Sequence, residues 1–183
     1  MLKWACRHWK DENKIKYVLE HEPVIDALEE DITRYLTKMS EKEMGAELSA
    51  MHTRLLHACT DIERIGDHGE ALAKDARRMF EDDVKFSEEA KTELRALGEL
   101  VMQASGKAME ALANNDKVLA QEAWDICRQV KKAQKEIRKN HIVRLNEKRC
   151  DPVAGFMMME ILINLKRVSD HSKNISQIVL GIF

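Results

Sequence analysis

Asp61-Ile62-Glu63-Arg64-Ile65-Gly66-Asp67-His68 returns about a hundred residues later, reworked, as Asn164-Leu165-Lys166-Arg167-Val168-Ser169-Asp170-His171. The shared kernel is Arg-x-x-Asp-His, at Arg64 and again at Arg167. An apolar frame travels with it: Leu55, Ala58, Cys59, Ile62, Ile65, Leu72 and Ala76 correspond to Met158, Ile161, Leu162, Leu165, Val168, Ile175 and Val179. A chance five-residue match would not carry seven matched apolar positions, so the chain is read as two copies of one helical unit.

On a helical wheel of about 100° per residue the first copy separates into rows. Leu55, Ala58, Ile62, Ile65, Leu72 and Ala76 form an apolar stripe, and Asp61, Arg64 and His68 form a polar row along its edge. Glu63, Asp67 and Glu70 form a carboxylate row facing away from that core. Gly66 and Gly69 correspond to Ser169 and Ser172, so something is expected to approach the helix closely at both places. Glycine within a helix costs up to about 1 kcal/mol against alanine, which calls for such a reason.

Outward from the motif, composition agrees with an all-α fold. The 183 residues are 44% apolar, 34% charged and 5% aromatic, with two prolines and no alternating strand-like runs. Five long helices are expected: Asp11–Met39, Glu41–Phe80, Ser87–Ala113, Lys117–Asn146 and Val153–Ile182. Ser40 with Glu43 reads as a capping box opening the second. Ser87 caps the third, Asn114-Asn115-Asp116 breaks the chain before the fourth, and Asp151-Pro152 supplies an N-cap with proline at the first position of the fifth. The motif then lies on the last helix of each three-helix unit. Residues 1–83 hold a first unit without its opening helix, and residues 84–183 hold a complete second one. Met1, Leu2, Trp4 and Trp9 are candidates to cover the uncovered apolar surface.

Several function classes fall away. Net charge near −2, with no aromatic residues among the basic ones, argues against nucleic-acid binding. The most apolar run, Val153 to Leu165, is interrupted by Glu160 and Asn164 and spans no bilayer. The N-terminus reads as no signal peptide, and the four scattered cysteines indicate a reducing compartment rather than a disulfide or zinc framework. No histidine has glutamate three residues before it, which sets aside a carboxylate-bridged oxidase. No nucleophile–base pair or phosphate-cradling glycine loop is visible either, so no enzyme is expected. His21 reads as a core-edge histidine. Nine basic residues against two acids between Arg128 and Arg149 read as a solvated face, or as contact with an acidic partner or lipid headgroups.

With these residues in hand, Glu63-Arg64-Ile65-Gly66-Asp67-His68 and Arg167-Val168-Ser169-Asp170-His171 resemble the signature of PhoU-type proteins, tandem three-helix-bundle repeats that regulate phosphate uptake. Glu22-Pro-Val-Ile-Asp26 running into Ile32-Thr-Arg-Tyr-Leu36, and His141-Ile-Val-Arg144-Leu145 leading to Cys150, are more narrowly similar to the cytoplasmic PhoU-like domain of bacterial sodium/phosphate cotransporters. The resemblance implies a regulatory role at the inner face of the cell membrane, with the transporter membrane domain or the phosphate-uptake machinery as partner. It also implies metal held by Glu/Asp-x-x-x-Asp motifs, iron first, with zinc or another divalent cation as alternatives. Glu22, Asp26, Glu63 and Asp67 fit that pattern. Carboxylates at i and i+4 on neighbouring helices can share a cation, although the same spacing also describes a solvated acidic face. Asp61, Arg64, His68, Arg167, Asp170 and His171 are assigned to a supporting inter-helix network. The second repeat departs from the pattern. Lys166 replaces the glutamate before Asp170, and counting back places Gln134 and Arg138 where acids are expected, which argues against a second metal cluster. An uncovered first unit predicts a homodimer or a helix borrowed from a neighbour. The competing reading is a metal-free helical adapter acting through protein–protein contact alone.

Overall fold

The computed structural model describes residues 11–41 and 43–182. Five helices account for nearly all of them: α1 (Glu12–Ser40), α2 (Ala46–Glu81), α3 (Glu88–Asn114), α4 (Lys117–Asn146) and α5 (Pro152–Leu180). The expected number, type and order are all present. The suggested cover from residues Met1 to Trp9 lies outside the described residues.

Helix starts follow local chemistry where a capping side chain is in place. The Ser87 hydroxyl accepts the Ala90 N–H at 3.2 Å, with Glu88 and Glu89 in the positive first turn. Asp116 accepts from Val118 and Leu119, and Asp151 from Val153 and Ala154, with Pro152 opening α5. The exception is the Ser40/Glu43 capping box, which does not form. Ser40 is instead the last residue of α1 and donates to the Thr37 carbonyl at 2.7 Å. α2 starts five residues later than expected, behind Gly45, without a side-chain cap. A serine hydroxyl serves either purpose, and here the continuing α1 helix supplied the nearer acceptor.

α3, α4 and α5 pack against one another as a three-helix bundle; α2 packs on α5, and α1 packs on α2. The dense core lies in the bundle: Leu97, Val101, Val130, Leu162, Val168 and Ile175 are fully buried. Alanines at 104, 108 and 123 let the backbones approach, and truncating one large core side chain would cost about 2–5 kcal/mol. Between α1 and α2 the core is thin, reduced to Ile15, Val18, Ala73 and Ala76.

Among the described residues, equivalent positions in the two units are covered differently. Met158 is 1% exposed under α3, whereas its counterpart Leu55 is 39% exposed, because no described helix stands there. Tyr17, Val24, Leu28 and Tyr35 on α1 and Leu48 and Met51 on α2 are exposed as well. Among the described residues no helix is long and apolar enough to cross a membrane.

Candidate functional site

The polar row of the motif divides between two tasks. Asp61 is buried and accepts hydrogen bonds from His171 Nδ1 at 2.8 Å and Asn174 Nδ2 at 3.0 Å. His68 Nδ1 meets Asn164 Oδ1 at 3.1 Å, and Asn164 also donates to Asp75. Asp61 and Asn164 occupy the same place in the two copies, as do His68 and His171. Each copy's histidine therefore reaches the other copy's Asp/Asn position across α2 and α5. The two imidazoles stack between these bonds with centroids 5.7 Å apart, which marks a local two-fold axis. Burial holds the His68 pKa below its usual value, against the opposing effect of the Asn164 bond. The expected inter-helix network is thus formed by Asp61, His68 and His171, joined by Asn164, Asn174 and Asp75.

Arg64 and Arg167 take no part in that seam. Arg64 is exposed and pairs within its own helix, with Asp67 at 2.9 Å and Glu63 at 3.5 Å. Its pairs thus lie within one helix, not between helices as expected. Arg167 is exposed and near enough to His68 to oppose its protonation.

The carboxylate row faces α1 rather than open solvent. Ile25 of α1 closes on the motif helix at Gly66, where an added Cβ would lie 3.2 Å from Ile25 Cδ1. Gly66 is therefore one place where a neighbour needs the missing side chain; Gly69 has open space around the same position. The close approach brings Glu22, Asp26 and Asp67 together, with one oxygen of each within 4.8 Å of the others. Glu63 borders this group through Asp67 and Asp26, and Glu70 borders it through Glu22. Of the four expected ligands, three converge and the fourth adjoins them, and Glu70 joins from one turn further along the same row.

Crowding leaves an electrostatic signature. Glu22 is 8% exposed, and its pKa is pushed up to about 7 by burial first, then by Asp26, Glu70 and Asp67. Glu63 is also raised, by burial and Asp67, with Arg64 acting in the opposite direction. Oxygen donors of this density suit a hard cation, which would neutralise the repulsion and replace lost hydration. Pro23, set inside α1 directly after Glu22, removes one helical N–H without ending the helix.

In the second repeat the corresponding groove is built from other chemistry. Lys166, Asp170 and Lys173 stand where the first repeat has Glu63, Asp67 and Glu70, and Lys166 is paired with Asp170. The Cys127 thiol donates to the Ser169 carbonyl at 3.3 Å, so Cys127 is at the depth that Ile25 occupies beside Gly66. The α4 residues facing Asp170 are Trp124, Arg128 and Lys131. Gln134 and Arg138, placed there by counting, are not among them, since counting cannot fix how far one helix slides along another. His21 is likewise not at a core edge: it is exposed, stacked on Tyr17, with Nδ1 2.7 Å from the Tyr17 carbonyl. Nothing in its sequence surroundings marked Glu93, which lies 2.6 Å from the buried guanidinium of Arg144 and accepts from Asn140 at 2.9 Å. Arg144 thereby leaves the solvated face assigned to the basic run.

The sequence pattern of one protein family, the PhoU domain, matches residues 6–76 and 94–179. The phosphate-specific transport system accessory protein PhoU homolog 1 of Thermotoga maritima is 26% identical over 174 residues, covering 94% of this chain and 74% of that protein. The PhoU homolog of Pseudomonas aeruginosa is 24% identical, covering 93% and 70%. The crystal structure of PhoU from Pseudomonas aeruginosa superposes with a TM-score of 0.88 at 20% identity, covering 99% of this chain and 88% of that one. The phosphate transport system regulatory protein PhoU of Streptococcus pneumoniae superposes with 0.81 at 17% identity, covering 99% and 87%.

Proposed function

The chain belongs to the PhoU domain family, and from that premise we propose that it is a non-enzymatic regulator of phosphate uptake that binds metal through its first repeat. The observation that carries the metal reading is the convergence of Glu22, Asp26 and Asp67 in the groove between α1 and α2. The raised pKa of Glu22 supports it, since burial and crowding by neighbouring acids are both relieved when a cation displaces the proton. Glu22, Asp26 and Asp67 would hold the ion, with Glu63 and Glu70 completing the oxygen set. Iron is the first choice for such a set, with zinc or another divalent cation as alternatives. The ion would supply positive charge that ties α1 to α2, whose shared buried apolar cluster is small.

The partner in this reading is the phosphate-uptake machinery, and more narrowly the membrane domain of a sodium/phosphate cotransporter. The protein then works in the cytoplasm, at the inner face of the membrane. The exposed apolar face of α1 and α2 fits burial against a second copy as a homodimer, or against a helix of the transporter. That same face favours the second reading, a metal-free adapter acting by protein–protein contact alone. Elemental analysis of the purified protein separates the two: the first reading expects bound metal, lost in Asp67→Asn. Wild-type protein that carries none after incubation with iron or zinc leaves the adapter. Labelled-phosphate uptake in cells lacking the protein tests the regulatory role, with rates expected to change and to recover on complementation.

A further inference from the structure

Between α4 and α5, at the position where the first repeat gathers acids, lies a half-enclosed pocket of about 210 Å³. Arg128 and Lys131 of α4 face Lys166 and Lys173 of α5 across it, with the Trp124 indole forming part of the wall. The acids here are few. Asp170 is engaged by Lys166, and Arg128 is engaged by Asp125. Four cations against those two carboxylates leave a surplus of two positive charges around a recess. The donor set does not fit a metal ion, because ammonium and guanidinium groups have no lone pair to offer.

We propose that this pocket binds a small phosphate-class oxyanion, the charge-inverted counterpart of the carboxylate groove in the first repeat. Ammonium groups on two helices converge as point charges, and Arg128 adds a planar donor fork that matches a tetrahedral oxyanion. A recess lined by one sign of charge with an apolar wall concentrates its counter-ion. A dianion matches the surplus of two charges. The modest, half-enclosed volume suits a free ion rather than an extended acidic peptide. The proposal is independent of metal in the first repeat, and its test is run on chelator-treated protein so that the two fail separately.

The test titrates the full chain with inorganic phosphate at constant ionic strength, following binding by calorimetry and by phosphorus NMR. The double variant Lys131→Gln/Lys173→Gln should weaken binding by about tenfold or more. Asp170→Asn removes the one acid lining the pocket and should tighten it severalfold. Lys132→Gln/Lys139→Gln, exposed on the same helix but off the row of Arg128 and Lys131, should leave it unchanged, and circular dichroism confirms that each variant is folded. Equal weakening in both double variants would reduce the effect to general surface charge and overturn the site. So would the absence of phosphate binding by the wild type. Binding to vesicles bearing phosphomonoester headgroups but not to the free ion would overturn the assignment to a free anion.

Discussion

Replacing Glu22 with Gln should stabilise the metal-stripped protein strongly at pH 8 and only about a quarter as much at pH 5. The Glu22 pKa rises from 4.5 to about 7 in the fold. A carboxyl whose folded pKa is raised costs nothing below the unfolded value, where both states are protonated. As pH climbs from 4.5 through 7 the unfolded chain ionises freely while the folded one resists, so stability falls, and the full penalty is present above pH 7. At 1.36 kcal/mol per pH unit the interval corresponds to a penalty on the order of 3 kcal/mol, about three-quarters of it absent at pH 5. The amide keeps the shape and has no charge to desolvate. In a chain of this size the relief should raise Tm by about 6–12 °C at pH 8. Urea unfolding of both proteins after chelation, at pH 5 and pH 8, reads the effect as a difference of differences, so other titrating groups, His68 among them, cancel. Saturating metal should reverse the sign, because the variant then lacks a ligand. An equal gain at both pH values, or none at pH 8, would refute the picture of a carboxyl crowded by burial, Asp26, Glu70 and Asp67.

Asp170→Asn should leave metal content unchanged in elemental analysis, because Lys166 already satisfies that carboxylate. Arg144→Ala should cost about 3–5 kcal/mol in denaturant unfolding by stranding Glu93 at the α3–α4 contact, whereas the paired change Arg144→Met/Glu93→Gln should cost much less. His171→Ala leaves buried Asp61 with Asn174 as its remaining donor across the seam and should lose about 1–3 kcal/mol. Gly66→Leu should force Ile25 and α1 away from α2, lowering metal affinity in a competition titration more than it lowers the melting temperature of α3–α5.

The fold was legible because its information is periodic and repeated. The apolar frame around Arg64 and Arg167, with caps at Ser87, Asp116 and Asp151, is written in neighbouring residues. The first-repeat site was legible for a related reason, since acids four apart on one helix must share a face. Sequence spacing does not carry the register between helices. That is why Gln134 and Arg138 were placed opposite Asp170 when Arg128 and Lys131 are there. It is also why nothing in the sequence marks Glu93 as the partner of Arg144. Local signals can mislead as well: Ser40 and Glu43 had the spacing of a capping box, but α1 ran on and used the hydroxyl itself.

The stacked histidines at the seam carry an evolutionary consequence. Were each repeat a separate polypeptide pairing with itself, every substitution would appear twice, and both grooves would share one chemistry. Joining them in one chain removes that duplication. The two ends of the seam have already drifted apart, with a carboxylate at Asp61 and an amide at Asn164, while their histidines stay interchangeable. The same licence lets Glu63, Asp67 and Glu70 on one side answer to Lys166, Asp170 and Lys173 on the other. A seam of two imidazoles thus joins an electronegative half to an electropositive one, a polarity that no dimer of identical halves can possess.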